Sequence, residues 1–233
     1  MERTRKPTPT KAIIIKKSAE LIFKNGFSKT TATEVCKLAD ISKGNLTYYF
    51  PTKEDLLALL VQMMIDFQWK EMENTAGEGK NSILSYCLEL TIFIAMGEEF
   101  FQMRDCIEAA YSSPITLDRI RSNDIPKIKQ VFSAYTSDWD DARFFNIGNI
   151  ILGIEYATFI HTEHIAPIED RIKWALDSIM MLFGISEELR NVQIQKVLSM
   201  NYRQIGRDVY EKFKQYVLET NGSVIDNTIG NIS

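Results

Sequence analysis

Residues 31–56 read TATEVCKLADISKGNLTYYFPTKEDL, and their spacing decides how the chain begins to fold. Thr31-Ala-Thr-Glu34 has the pattern of a capping box, which starts a short helix over about residues 32–39. Asp40-Ile41-Ser42 follows as a turn, then a very short helix from Lys43 to Tyr49, ended by Phe50-Pro51-Thr52. Thr52, with Asp55 three residues on, caps a longer helix over about 53–74. Two short helices joined by a three-residue turn make a helix-turn-helix. Val35, Cys36, Leu38 and Ala39 are expected to pack the first helix inward. Ile41 plugs the turn, and Leu46 and Phe50, four apart, bury the second helix on the same core. That leaves Lys43, Gly44, Asn45, Thr47, Tyr48 and Tyr49 on an outer face. Such a helix can enter a major groove, where Asn reads adenine and Lys reads guanine. Gly44 permits close backbone approach, and the hydroxyls of Thr47, Tyr48 and Tyr49 suit phosphate or base edges. Lys53 falls in the first turn of the next helix, where its charge adds to free N–H groups and a phosphate would bind. The plain alternative is a helical hairpin whose Tyr and Lys side chains merely cover the surface.

Outward from this stretch, nearly everything reads as helix. A first helix is predicted from about Pro9 to Asn25, with Ala12, Ile15, Ala19, Ile22 and Phe23 at helical spacing and Gly26 as its stop. Beyond a loop at 76–80, helices are expected at about 81–96, 98–112, 115–122, 125–137, 141–165, 168–184 and 187–219. Breaks fall at Gly97, Pro114, Pro126, Asp138–Asp140, Pro167 and Gly184. No period-two alternation suggests strands. Residues 1–8 read as a basic arm and 221–233 as a frayed tail. Of the 233 residues, 45% are hydrophobic and 25% charged, a balance that excludes wholesale disorder. The longest run without Asp, Glu, Lys or Arg is the eleven residues Phe144–Ile154, too short for a bilayer span. The basic start, MERTRKPTPTKAIIIKK, has three isoleucines for an apolar stretch, so no secretory signal is expected. Cys36, Cys87 and Cys106 are odd in number and far apart, which fits free buried thiols in a reducing cytoplasm rather than disulfides or a zinc site. The net charge of −4 is uneven: residues 1–55 carry 11 Lys/Arg against 6 Asp/Glu, and the remainder 16 against 25. A basic head on an acidic body suggests that only the head meets a polyanion.

The head resembles the DNA-binding domain of the TetR (tetracycline-repressor) family of bacterial regulators. That family shows a helix ending in Phe-x-x-x-Gly-Phe/Tyr, then Thr-Thr/Val-x-x-Ile/Val-Ala, then Ser-Lys-Gly-x-Leu-Tyr-x-His/Tyr-Phe-x-Ser/Thr-Lys-Glu-x-Leu. This chain supplies Phe23 through Gly26-Phe27, Thr31 through Val35, and Ser42 through Leu56, over roughly residues 9–60. Two positions depart from the pattern. Thr47 stands where Tyr is usual, and Asp40 where Gly often makes the turn, though Asp tolerates a left-handed conformation. The resemblance adds Thr31, Thr33 and Ser42 to the candidate DNA contacts named above. It implies an all-α chain: an N-terminal three-helix domain with the helix-turn-helix (1–55), then a larger helical effector-binding and dimerisation domain (56–220).

The body can be read against that implication. Around 141–165 the chain is apolar on more than one face, as a helix buried on several sides must be. In the family this helix and the next form a four-helix dimer interface, which carries over here to Ile147, Ile151, Ile154, Thr158, Trp174 and Ile179. Met and aromatic side chains in the middle helices suit either an adaptable hydrophobic ligand pocket or an ordinary core. The pocket candidates are Met63, Phe67, Phe93, Phe101 and Tyr111, with Tyr135, Tyr156 and Phe159. Glu155, which interrupts an apolar face, could hold a cationic or hydroxylated ligand. His161 and His164, three apart, are a candidate metal pair with no evident third ligand, so no metal or cofactor is expected. Leu198, Tyr202, Ile205, Val209, Phe213 and Tyr216 mark an amphipathic helix that either covers the pocket or extends the dimer.

Phosphate loops, nucleophile elbows and metal clusters are missing from the sequence, which argues against an enzyme. The expected function is a cytoplasmic, ligand-responsive repressor that binds double-stranded operator DNA as a homodimer and is released by a small hydrophobic or amphipathic effector, with no membrane involved. The alternative is a helical small-molecule carrier, or an enzyme, that does not depend on DNA binding.

Overall fold

Short-range signals set the first helices. The computed structural model describes residues 9–75, 82–160 and 166–219. Helix α1 (Pro9–Asn25) stops at Gly26, whose φ of +85° is the left-handed value that ends helices. Helix α2 (Ala32–Ala39) starts with the full capping box. Glu34 N–H donates to Thr31 Oγ1 and Thr31 N–H donates to a Glu34 carboxylate oxygen. Asp40 adopts φ 52° and ψ 52°, the left-handed turn that glycine would otherwise supply. Helix α3 (Lys43–Tyr49) is capped by Ser42, whose Oγ accepts from Asn45 N–H at 3.1 Å. Caps of this kind are worth about 1 kcal/mol each, a large share for so short a helix.

The body follows as α4 (Lys53–Thr75), α5 (Ile83–Glu99), α6 (Phe101–Ser112), α7 (Pro114–Val131), α8 (Asp141–Phe159), α9 (Ile168–Leu182), α10 (Glu187–Ser199) and α11 (Tyr202–Glu219). A single 3-10 turn, Ser133–Tyr135, precedes α8. The described residues contain no strand. Helix α5 is buried almost all round, so it forms the axis of the body. It packs against α11, α10, α6 and α9. Gly206 lets α11 approach α5 closely: a Cβ there would meet Met96, Ala95 and the Ile92 carbonyl at 3.5–3.6 Å. Stacked rings close the ends, Phe132 on Phe183 at 3.9 Å and Phe100 on Tyr210 at 4.0 Å. The core runs without a break from Ile14, Ile15 and Ile22 in the head to Phe213 and Val217 in α11.

Several boundaries differ from the sequence expectation. The chain does not break at Pro126; α7 continues through it to Val131. Proline forfeits one backbone hydrogen bond, while Ile120, Ile128 and Val131 on either side are buried and hold the helix in place. Nor does Gly97 end α5, which runs on to Glu99. The helix expected over 187–219 is two, because Met200 is extended at φ −75° and ψ 155°. The apolar period survives that break, since Tyr202, Val209 and Phe213 still face the core. Leu38, expected inside, is 43% exposed, because Val35 and Ala39 alone turn α2 inward. The three cysteines are free, and Cys87 Sγ lies 3.9 Å from Met180 Sδ. The loop at 76–80, the tail at 221–233 and the His161/His164 pair lie outside the described residues.

Candidate nucleic-acid interface and effector cavity

The outer face of the helix-turn-helix is built as its spacing implies. Thr31, Thr33, Ser42, Lys43, Gly44, Asn45, Thr47 and Tyr48 are exposed, while Leu46 and Phe50 anchor α3 from beneath. Tyr48 is 69% exposed and meets Tyr49 edge-on at 5.0 Å, so the half-buried Tyr49 props up its more exposed neighbour. Thr31 and Ser42 serve as helix caps, so their hydroxyls are already engaged. Thr47 turns its hydroxyl back onto the Lys43 and Gly44 carbonyls at 3.1 and 3.2 Å. Lys43 and Asn45 present side-chain donors toward water from the first turn of α3.

Lys53, the expected phosphate contact at the first turn of α4, already has partners within the chain. Its ammonium sits 4.1 Å from the Phe27 ring centroid and donates to the Ser28 carbonyl at 3.3 Å. Burial lowers its pKa, opposed by the nearby Asp105. Asp105, on α6, accepts from Ser28 N–H at 2.7 Å and also from the Ser28 hydroxyl. A Cβ on Gly26 would come within 2.6 Å of that carboxylate, so the turn after α1 fits closely against α6. The body thus grips the head at residues 26–28 and Lys53, a junction that the sequence reading missed. Its only sequence signal is a glycine-stopped helix.

Between head and body lies an apolar cavity of about 130 Å³. Its wall on α4 is the stripe Leu57, Leu60, Val61, Met64, Ile65 and Gln68. Ile22 and Phe23 of α1 also line it, so the head forms part of the cavity wall. Of the pocket candidates, Phe93, Tyr111, Glu155 and Phe159 reach the cavity. The other five do not, for geometric reasons. Met63 is fully buried but lies off the α4 stripe. Phe67 faces α11, against Phe213 and Tyr216. Phe101 is 47% exposed at the start of α6, and Tyr135 is exposed on the 3-10 turn. Tyr156, one residue round α8 from Glu155, stacks on Tyr111 at 6.0 Å and does not line the cavity.

The cavity holds a polar cluster that the sequence reading reached only through Glu155. Glu155 accepts from Tyr111 Oη at 2.8 Å and from Tyr86 Oη at 3.4 Å. Asp124, Glu89 and Lys127 share the wall, with Lys127 Nζ paired to Glu89. Burial pushes the Glu155 carboxyl up to about 8, reinforced by Asp124. Burial likewise raises Asp124, to about 6, against the pull of Lys127. The hydroxyls of Tyr86 and Tyr111 are pushed well up by burial and by Glu155, so both stay protonated as donors. Gln68 is 1% exposed, and its side-chain nitrogen has no hydrogen-bond partner. One signal was present in the sequence: Glu89 is the lone charge between Ile83 and Gly97. Among the described residues no group of three or more His, Cys, Asp or Glu is arranged to hold a metal.

A third feature lies on α8 and α9, which pack together. Ile150 and Trp174 are 50% and 58% exposed, and Phe145 and Met181 are also exposed. Of the interface candidates, Trp174 is outward and Ile147 and Ile154 are half-buried. Ile151 and Ile179 are enclosed within the chain, and Thr158 is buried, with its hydroxyl on the Ile154 carbonyl at 2.7 Å. These three face inward because α8 and α9 each turn one side to the core. Their outward neighbours Ile150, Trp174 and Met181 occupy the free side.

The architecture is a helix-turn-helix head carried on a larger helical body. The family described as bacterial regulatory proteins, tetR family, matches residues 14–60. The HTH-type transcriptional regulator QacR of Staphylococcus aureus is 44% identical over 52 residues, which are 22% of this chain and 27% of QacR. RutR of Escherichia coli, another HTH-type transcriptional regulator, is 23% identical over 140 residues, 59% of this chain and 65% of RutR. The chain thus covers less than two thirds of either relative's length. Thermus thermophilus FadR, a TetR family repressor solved in complex with lauroyl-CoA, superimposes with a TM-score of 0.56 over 76% of this chain and 96% of FadR, at 16% identity; it shares the fold. The match to the tetR family is thus carried by residues 14–60, and the relatives that share it are HTH-type transcriptional regulators. Among the described residues no helix is long and apolar enough to cross a membrane.

Proposed function

We propose that the protein is a ligand-responsive repressor that reads a palindromic operator as a homodimer and is released when a small hydrophobic or amphipathic molecule enters the cavity. The division of labour would follow the chain, with residues 1–55 reading DNA and 56–220 binding effector and partner. One observation carries this reading: Ile22 and Phe23 of the head helix α1 line the same cavity as α4 and α6. A ligand there presses directly on the element that carries the recognition helix. Asp105 gives α6 a second grip on the head through Ser28, so movement of α6 would be transmitted to α2 and α3. The ligand must bind the displaced state more tightly, since without differential affinity no equilibrium shifts.

A helix of seven residues covers few base pairs, and two-fold pairing supplies the second half-site. The exposed apolar side of α8 and α9 supports that pairing, as apolar patches on a free surface mark interaction sites. The two recognition helices would then sit about 34–36 Å apart, one turn of DNA, or a small multiple of it. The test is a gel shift of the full chain on its own upstream DNA, combined with light scattering. Retarded DNA with the mass of two protomers supports the reading. A single-protomer mass at micromolar concentration, or equal affinity for upstream and random DNA, overturns it.

A further inference from the structure

We infer that the cavity selects apolar monocations, an aliphatic or aromatic ammonium being the type, with the cation seated between Glu155 and Asp124. This rests on the reading of the cavity as the effector site, and it specifies the ligand's charge.

Charge is unbalanced on this largely apolar wall. Three carboxylates, Glu89 on α5, Asp124 on α7 and Glu155 on α8, share the cavity wall with one cation, Lys127. Lys127 is paired to Glu89. Asn123 donates to Asp124 at 2.9 Å, and Tyr86 and Tyr111 donate to Glu155. These neutral donors satisfy lone pairs but do not cancel charge. The rest of the wall, from α1, α4, α6 and α11, is apolar apart from Gln68. Two negative charges on so apolar a wall, Glu155 buried and Asp124 half-buried, are costly, and the pair responds by keeping a proton. The raised pKa values of Glu155 and Asp124, near 8 and 6, describe that response. At neutral pH the empty site therefore holds about one proton on this pair. A ligand cation can do what that proton does. It replaces the proton without changing the site's net charge, while its apolar part covers Leu60, Met64, Phe93 and Ile107. A carboxylate ligand would add a negative charge to a pair that already carries one. A neutral alcohol could only hydrogen-bond.

Proton displacement makes the inference measurable. The loaded site binds fewer protons than the empty one, so cation affinity must rise with pH until Glu155 is ionised in the empty protein, and level off above about pH 8. The probes are 4-phenylbutylammonium, 4-phenylbutan-1-ol and 4-phenylbutanoate, titrated calorimetrically into the full chain. An alkylammonium stays charged throughout this range, as a lysine side chain does. At about pH 8.5 the ammonium should bind at least about tenfold more tightly than the alcohol, with the carboxylate weakest. The preference should shrink toward about pH 6. Near pH 7, titrations in buffers of different ionisation heat should show up to about one proton released per ammonium bound. Glu155→Gln should abolish the preference and the proton release. Asp124→Asn, a second variant in case the first folds poorly, should reduce both; circular dichroism reports whether each is folded. Alcohol binding as tight as ammonium, or ammonium binding without proton release, overturns the charge assignment. If the alcohol nonetheless binds and loosens operator DNA, the effector reading stands without it. If none of the three probes binds at millimolar concentration, this inference falls, while a loss of upstream-DNA binding would be needed to remove the regulator reading as well.

Discussion

The recognition helix and the cavity use the same side-chain types in opposite ways. On α3, Lys43 and Asn45 project into water from seven contiguous residues. Exposed to water, neither side chain costs anything to hold. In the cavity, Lys127, Glu89, Asp124 and Glu155 come from three helices far apart in sequence, and their charges act more strongly on one another there than they would in water because the surrounding wall is largely apolar. The exposed site is local, so its function follows from side-chain chemistry alone. The enclosed site is assembled, so its function depends on which charges end up facing one another. The proposed switch uses both, one exposed surface and one charged interior, with a joint between them at Ser28, Asp105 and Lys53.

The largest expected effect tests whether two such heads act together. Trp174→Asp places a charge on the outward side of α9. Because two-fold symmetry counts each substitution twice, the dimer should lose at least about 4 kcal/mol, two hot-spot-sized losses of about 2. Light scattering should then give one protomer, with operator binding lost. Ile151→Ala, by contrast, should lower thermal stability and leave the mass at two protomers, because Ile151 is buried within the chain.

Next in size is the reading of bases. Asn45→Ala removes an exposed amide that makes no side-chain contact with the core, so stability should be unchanged. Operator affinity should fall by about 1–3 kcal/mol, and affinity for random DNA much less. Equal losses on both DNAs in a filter-binding titration would assign Asn45 to phosphate and shift base reading to Lys43 and Tyr48.

The contrast also explains what the sequence could reveal. The starts of α1, α2, α3 and α4 follow from nearby caps and breakers, and α3 exposes the residues its spacing implies except Tyr49, which is half-buried against the core. Pro126 misled because a proline's local cost is small beside the burial of Ile120, Ile128 and Val131. The break at Met200 was hidden because the apolar period continues across it. In the cavity, Glu155 and Glu89 show as lone charges in apolar helices. Asp124 and Lys127 sit in DRIRSNDIPKIKQ, where charge is common and nothing local marks which side chain turns inward. Met63, Phe67 and Tyr156 failed for the same reason in reverse: residue type indicates a buried group, while the face it lies on is settled by packing.

A smaller effect separates interior from exterior by pH. Glu155 and Asp124 have folded-state pKa values above their ordinary ones. Their folded forms hold protons that the unfolded chain would release. Stability from this source is complete below the ordinary carboxylate range and is lost as pH rises through about 6 and then about 8. The unliganded protein should therefore melt at progressively lower temperature from about pH 5 to pH 9, by no more than about 1.4 kcal/mol per pH unit for each proton involved. Glu155→Gln should flatten the upper part of that slope. A melting temperature independent of pH across this range would mean that the cavity carboxylates titrate as if in water.

Smallest and most diagnostic is the joint. Lys43 and Lys53 are both lysines of the head, ten positions apart but not alike in setting. Lys43 is exposed, whereas the Lys53 ammonium lies over Phe27 and on the Ser28 carbonyl. Lys43→Ala should leave stability alone and weaken DNA binding. Lys53→Ala should cost about 0.5–1 kcal/mol of stability through the lost ring contact. It should weaken operator and random DNA about equally, and lower the salt slope by at most about one unit per subunit. The ring contact holds the ammonium beside the turn that Asp105 grips, so Lys53→Ala should also change how strongly a cavity ligand releases DNA, a readout that loss of one phosphate contact would leave untouched. If ligand release is unaltered while the salt slope falls by a full unit, Lys53 is a phosphate anchor and the joint is carried by Asp105 and Ser28 alone.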